Sequence, residues 1–340
     1  MCAQAGAAPS VDLPLIRVRG LTVRYLSADQ TVPALAEVDF DIARGEIVGI
    51  LGESGSGKST LALSILGLLP RNACVEGSIL FQREAHHYEH LLRLAERQWR
   101  KIRGVRIAMI FQEPGLSLSP VMRVGDQIAE VLRAHRDNAG KQQKQDVEAM
   151  LRRVRLVDAE RISSAYPHQL SGGELHRIAI AQALACAPDL VIADEPTRSL
   201  DVTVQSEILN VLREVNRENG SALILITHNP ALLAGFADRV MVTYAGRIVE
   251  GGPVEQVFHR PLHPYTKALL QLIPWPSPHF DPVLRRLQVI PGSQNHSDPL
   301  ACGCAFEPRC PARTTLCQTE MPNTVTLDDG RQVSCFNYGN

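Results

Sequence analysis

The sequence predicts an α/β fold with a mostly parallel sheet built around a phosphate-binding loop, and three observations predict it. Residues Gly52, Glu53, Ser54, Gly55, Ser56, Gly57, Lys58 and Ser59 meet the pattern G-x-x-x-x-G-K-[ST] at every fixed position. The loop lies between a short, apolar, β-branched run, Glu46 to Leu51, and a stretch with apolar residues at helical spacing, Thr60 to Leu69. Further along, buried-strand runs alternate with helical stretches, the arrangement that lays down a parallel sheet. A chain of 340 residues with 45% hydrophobic content can hold one large domain and a satellite.

Each segment then takes its place in order. Residues 1–14 lack a basic region followed by an apolar one, so they read as a disordered leader and not as a secretory signal. Ile16 to Arg19, Leu21 to Tyr25 and Val38 to Ile42 are short β-like runs between polar turns, which predicts an antiparallel sheet beside the nucleotide strand. Gly77 to Gln82 continues it, and the charged stretch His86 to Arg103 is expected to be helical. Val105 to Phe111 is a buried strand that ends at Gln112.

From about 113 to 185 the pattern is that of an inserted helical subdomain. Gln127 to Arg133 and Val147 to Val154 are amphipathic pieces, and an Ala-rich helix runs from Ile178 to Ala185. Asp189 to Glu195 is an apolar strand ending in two acids, and Val202 to Asn219 is a helix. Ser221 to His228 and Arg239 to Tyr244 are two more buried strands. Ala245 and Gly246 turn the latter into the hairpin strand Arg247 to Glu250. From Pro261 the composition becomes Pro-rich and irregular, marking a C-terminal appendage over 261–340.

No run of eighteen or more apolar residues occurs, which argues against a membrane-spanning helix. A net charge of −1 argues against a general nucleic-acid binder.

The motifs carry the chemistry of a nucleoside triphosphate. Glycines let successive backbone N–H groups turn towards an anion, and the helix start adds a favourable dipole. Gly52, Ser54, Gly55, Ser56, Gly57, Lys58, Ser59 and Thr60 are the expected cradle. Lys58 would reach the β- and γ-phosphates, and the Ser59 hydroxyl would ligate Mg²⁺. Tyr25 reads either as a ring stacked on adenine or as an ordinary strand aromatic.

Asp194 is placed to hold Mg²⁺ through water, and Glu195 to polarise the attacking water as general base. His228, at the end of the next strand, could touch the γ-phosphate, and Gln112 could complete the magnesium shell. Taken alone, the acid pair could be a helix cap and the histidine a structural residue. Ser171, Gly172, Gly173 and Glu174 form a second anion-binding helix start. A second phosphate cradle makes sense if it faces the triphosphate of another subunit, so that ATP is sandwiched between two such domains.

In this order the phosphate loop, Gln112, Leu170 to Gly173, Asp194 with Glu195, Ser199 to Asp201 and His228 resemble the nucleotide-binding subunit of an ABC transporter, over roughly Ile16 to Arg260. Four strings, Ala108 to Pro114, Tyr166 to Gly173, Tyr244 to Glu250 and His263 to Leu270, are similar to the dipeptide/oligopeptide and nickel importer ATPases. The resemblance implies an ABC nucleotide-binding domain over 15–260, hydrolysis of ATP with Mg²⁺, and a D-loop role for Asp201.

For partners it implies a second ATPase subunit, expected to be a paralogue in a heterodimer. It also implies two transmembrane permeases fed by an extracytoplasmic solute-binding protein, a place on the cytoplasmic face of the inner membrane, and no nucleic acid. Glu113, Pro114 and the helices after them would face a permease. Di- and oligopeptides are the expected cargo, with nickel or another chelated solute as the alternative. A soluble ABC ATPase of DNA repair or translation is the rival class, and the long coiled-coil insertion or second cassette it normally shows is not in this sequence.

Five positions depart from the family's usual residues: Glu174, His176, Arg198, Ser199 and Asn229. None of them removes Lys58, Ser59, Gln112, Asp194, Glu195 or His228. Hydrolysis is therefore expected to be intact at this chain's own phosphate loop. The site completed by its signature segment, with Glu174, is expected to be the weaker of two unequal ones.

Of eight cysteines, Cys2, Cys74 and Cys186 are scattered. Cys304, Cys310, Cys317 and Cys335 spell C-x5-C-x6-C-x17-C, with Cys302 a spare thiol. Four thiolates suit a 4Fe-4S cluster or Zn²⁺ equally on ligand count. The spacing matches the oligopeptide-importer C-terminal extension, some members of which carry an iron–sulfur cluster. That resemblance favours the cluster over zinc, with free packed thiols as the third reading.

Overall fold

The computed structural model describes residues 13–338 apart from 28–29, 85, 136–140, 199, 273–289, 291 and 293–301. Most of the expected leader, Ser199 and much of the Pro-rich stretch therefore lie outside the described residues.

The chain opens with β1 (Ile16–Leu26) and β2 (Thr31–Ile42), then β3 (Ile47–Leu51) and α1 (Lys58–Ile65). The runs Ile16 to Arg19 and Leu21 to Tyr25 are one strand, its register irregular around Gly20, whose φ is +56°. β4 (Ala73–Glu84) and β5 (His87–His90) complete an antiparallel sheet ordered β2-β1-β4-β5. A short helix α2 (Glu96–Trp99) and strand β6 (Ile107–Ile110) follow.

Helices α3 (Pro114–Ser117), α4 (Val124–His135), α5 (Lys141–Arg153), α6 (Ala159–Ser164) and α7 (Gly172–Leu184) form the helical insertion. Next come β7 (Leu190–Asp194), α8 (Val202–Asn219), β8 (Ala222–Thr227), β9 (Arg239–Tyr244) and β10 (Arg247–Pro253). The C-terminal part holds α9 (Val254–His259), α10 (Pro264–Gln271), α11 (Leu316–Thr319), β11 (Val325–Thr326) and β12 (Gln332–Val333).

The second sheet runs β11-β12-β10-β9-β3-β8-β7-β6. Its five strands from β9 to β6 are parallel, and β10 to β12 join antiparallel. Strands β3, β7 and β8 are buried along their whole length, which is why they read as unbroken apolar runs. Alternate residues feed opposite faces. Leu51, Val191, Ala193, Leu223 and Leu225 pack into a core shared with α4 to α8, while Val48, Ile50, Ile192, Ile224 and Ile226 pack into one shared with α1 and the antiparallel sheet. Each fully buried Leu or Ile contributes about 1.5–3 kcal/mol from burial alone. The two cores together fix where β3 and β7 end, and so where the site lies.

Two expectations need correcting. The charged stretch from His86 is not helical at its start: β5 pairs antiparallel with β4, Leu80 opposite His90 and Gln82 opposite Tyr88, with Arg83 and Glu89 joined at 2.7 Å across the pair. The open edge of β4 supplies ladder bonds that local charge spacing cannot reveal. The appendage after Pro261 is also not irregular throughout, because α10 begins at Pro264. His263 Nδ1 caps that helix by accepting from Tyr265 N at 3.1 Å. The buried Glu250 carboxylate accepts from Leu262 N and His263 N, both at 2.9 Å.

Burial, and secondarily Lys267, pushes the His263 imidazole down to about 3. The unfolded chain therefore takes a proton near pH 6.5 that the folded chain refuses. Stability is fully present above about pH 6.5 and falls towards pH 3, by at most about 1.4 kcal/mol per unit. Glu250, raised by burial, acts in the opposite sense as it titrates. Chemical unfolding at about pH 6.5 and about pH 5.5 should show the native chain losing up to about 1.4 kcal/mol more than His263→Asn. Parallel pH profiles for the two proteins would remove His263 as the cause.

Candidate nucleotide-binding and hydrolysis site

The site forms where β3 ends, because its five buried residues deliver the chain to the loop at a fixed point. Two of the loop glycines are required by contact. A Cβ on Gly52 would sit 2.4 Å from Thr243 O, and one on Gly57, at φ +95°, would sit 2.6 Å from Ala34 O. The Ser56 hydroxyl meets that of Thr243 at 3.0 Å and so ties the loop to β9. Gly57 also stands at the N-cap of α1, whose first residue is Lys58.

Lys58 is buried. Its Nζ donates to Gly52 O at 2.8 Å and Glu53 O at 2.7 Å, with Ser56 Oγ at 3.4 Å. Burial lowers its pKa, while Glu195, Asp194 and Glu53 act to keep it charged. Asp194, at the buried end of β7, is raised by burial and eased by a hydrogen bond from Ser59. Tyr25 Oη lies 3.1 Å from Thr60 Oγ1, which puts its ring at the rim of the same cleft.

Glu195 has φ +46°, a sparsely populated conformation for a side chain of this size, and its N–H donates to Ile226 O at 3.0 Å. Its carboxylate is held from several sides: His228 Nδ1 lies 2.8 Å from Oε1, Gln112 Nε2 donates to Oε2 at 3.4 Å, and Arg198 stands 3.9 Å away. These groups line an open cleft of about 690 Å³ with the phosphate loop, a volume in the range of small-molecule sites.

Ser171, Gly172, Gly173 and Glu174 do not line this cleft. Ser171 caps α7, and Glu174 closes a reciprocal box. Its Oε2 accepts from Ser171 N at 2.8 Å and from Ser171 Oγ at 2.9 Å, and Arg161 donates to Oε1 at 2.9 Å. The Glu174 pKa is lowered chiefly by the Ser171 backbone bond. Asp201 is an N-cap as well, accepting from Thr203 N and Val204 N, both at 3.0 Å. Cap duties thus account for Glu174 and Asp201 within one chain.

The sequence gives no signal for two further contacts. Glu53, a variable position of the loop motif, donates its N–H to Tyr265 Oη at 2.9 Å, and its carboxylate receives Arg309.

In the C-terminal segment, burial pushes the Cys304 thiol up to about 11, with Cys317, Cys310 and Cys335 each raising it further. Cys310 and Cys335 are raised by burial too. The four thiols are therefore neighbours. Yet no group of three metal-ligating side chains is arranged to hold an ion among the described residues, so the expected cluster finds no support in this arrangement.

A glycine loop at a strand end, a buried lysine and an acid pair facing it define a P-loop ATPase of the ABC type. Residues 35–198 match the family profile "ABC transporter", and residues 249–317 match "Oligopeptide/dipeptide transporter, C-terminal region". The chain is 41% identical to the oligopeptide transport ATP-binding protein AppD of Bacillus subtilis, over 95% of this chain and 97% of that protein. It is 40% identical to the oligopeptide transport ATP-binding protein OppD of Escherichia coli, over 95% and 93%.

Among solved structures, the dimeric post-hydrolysis state of the ATP-binding cassette MJ0796 bound to ADP and Pi aligns at TM-score 0.62 and 29% identity, over 70% of this chain and 98% of that one. The structure of cbiO1 from Clostridium perfringens, part of the ABC transporter complex cbiONQ, aligns at 0.59 and 30%, over 73% and 91%. The chain belongs to the ATP-binding subunits of ABC transporters, in the oligopeptide/dipeptide branch. As such it is an ATPase that works with transmembrane permeases as a peripheral, membrane-associated subunit. Among the described residues no helix is long and apolar enough to cross a membrane.

Proposed function

We propose that this chain hydrolyses ATP at the cytoplasmic face of the inner membrane to power import of di- and oligopeptides. What supports the reading is the convergence of Lys58, Gln112, Asp194, Glu195 and His228 on one cleft beside the glycine loop.

In this proposal Gly52, Ser54, Gly55, Ser56, Gly57 and Thr60 cradle the phosphates, and Tyr25 packs on the base. The oxygen donors Ser59 and Asp194, with the Gln112 amide, suit a hard cation such as Mg²⁺. When bound, Mg²⁺ supplies charge neutralisation at the β- and γ-phosphates. Glu195 takes a proton from water as the water oxygen bonds to the γ-phosphorus and the bridging P–O bond to ADP breaks. Lys58 stabilises charge on the transferred group, and His228 orients Glu195 and contacts the γ-phosphate.

Ser171, Gly172, Gly173 and Glu174 act on the triphosphate of a second ATPase subunit, a paralogue in a heterodimer of unequal sites. Asp201 lies at that interface. ATP-driven closure of the pair moves two permeases between inward and outward access, fed by an extracytoplasmic binding protein. We divide the chain into the nucleotide-binding domain 15–260, with its helical insertion, and the extension 261–340. Cys304, Cys310, Cys317 and Cys335 are proposed as one structural unit. They are the residues that would hold a 4Fe-4S cluster, with Zn²⁺ second, only after leaving the arrangement described above, which suits no metal.

Affinity purification of the chain from solubilised native membranes tests the transport reading. Two polytopic permeases, a second ATPase subunit and a solute-binding protein should accompany it, and the binding protein's ligand separates peptides from nickel chelates. Recovery with DNA-repair or ribosomal factors instead would overturn import.

A further inference from the structure

Among the described residues, the C-terminal extension meets the phosphate loop at Glu53. Arg309 Nη1 donates to Glu53 Oε2 at 3.1 Å and Arg309 Nη2 donates to Oε1 at 3.2 Å, a two-point pairing of guanidinium with carboxylate. This is not a solvated surface pair. The Arg309 side chain is 7% exposed, and its fork is fixed further by Tyr244 Oη at 3.3 Å and Ile290 O at 3.4 Å.

The backbone of Glu53 is held as well, its N–H donating to Tyr265 Oη of α10 at 2.9 Å. Behind these contacts Tyr244, Tyr265 and Phe306 pack with ring centroids 4.7–5.5 Å apart, all three buried. Phe306 and Arg309 both lie between Cys304 and Cys310, so whatever secures the cysteine segment also secures the arginine. On its other side, Glu53 O receives Lys58 Nζ at 2.7 Å. The residue that Arg309 grips is therefore one of the two, with Gly52, on whose carbonyls the phosphate-binding lysine rests.

Glu53 also lines the nucleotide cleft, where an acid is an obstacle. Unpaired, its carboxylate would stand beside the incoming polyanion and would be free to swing onto Lys58. Paired, it is neutralised and fixed. We propose that Arg309 is a positioning residue for the phosphate loop, so that the C-terminal extension sets ATP affinity in cis by holding Glu53. The inference rests on the nucleotide site proposed above.

The test is equilibrium titration of the full chain with Mg-ATP, alongside thermal melting of each protein. Arg309→Ala should weaken binding about tenfold, and Arg309→Lys about threefold, since a point charge replaces the fork. Adding Glu53→Gln to Arg309→Ala removes the stranded negative charge and should bring binding back to within about threefold of the native chain. A purely structural Arg309 would not give that recovery. Binding by Arg309→Ala within about twofold of native, or no recovery in the folded double variant, would overturn the proposal. If Arg309→Ala does not fold, native-like binding by Arg309→Lys would overturn it equally. Failure of the native chain to bind ATP would instead overturn the nucleotide site itself, and this inference with it.

Discussion

Glu195→Gln should lower steady-state ATP turnover at least about a hundredfold while leaving Mg-ATP binding within about threefold of native. The amide keeps the size of the side chain and can still meet His228 Nδ1 or Gln112, but it cannot accept a proton from water. Glu195 is held in a left-handed backbone conformation by its place after β7, with its carboxylate braced at 2.8 Å by His228. Such bracing suits a base that must point one way, and its cost is met by the surrounding fold.

His228→Ala should therefore also slow turnover, because the carboxylate loses its orienting partner, but by less than removal of the base. Phosphate release under saturating ATP separates these effects from binding. Turnover by Glu195→Gln within about fivefold of native would mean that the water is activated by another group.

The parts of the fold that could be read from sequence are those whose signals are local. α8 spans Val202 to Asn219 as expected, because Asp201 caps it and Gly220, at φ +64°, ends it. β9 matches its expected span from Arg239 to Tyr244, an apolar run that Ala245 and Gly246 stop. The loop, the acid pair and His228 are legible as particular residue types at strand ends, and the structure brings them to one cleft.

The unread parts depend on partners distant in sequence. β5 exists because β4 offers an edge, and Glu53 is defined by Arg309, a residue in the extension. Glu174 is a different case. Ser171 followed three residues later by Glu174 is a local capping-box signal. The anion-site reading of the same residues obscured it, and the structure has Glu174 closing that box. The cysteine spacing is legible as a pattern, but spacing says nothing of how four sulfurs are oriented, and no three of the described ligating groups are arranged for a metal.

Lys58→Ala should weaken Mg-ATP binding about a hundredfold, because two separate contributions disappear together. One is the cation opposite the triphosphate. The other is the brace in the resting loop, where Nζ joins Gly52 O and Glu53 O and so holds the strand end against the start of α1. Lys58→Arg should not restore affinity, since a planar fork cannot occupy a buried slot shaped around one ammonium.

The native chain should also show a pH signature that Lys58→Ala lacks. Burial lowers the Lys58 pKa, so the ammonium neutralises at a lower pH than a solvated lysine would, and affinity for ATP falls on the alkaline side. Bound triphosphate favours the charged form, so binding takes up a proton there. Titrations in buffers of different ionisation enthalpy read that uptake directly. The sign follows from the geometry: Glu195, Asp194 and Glu53 favour the ammonium against burial, and a triphosphate acts in the same sense. An alkaline limb that persists unchanged in Lys58→Ala would assign the proton to another group and leave Lys58 only its bracing role.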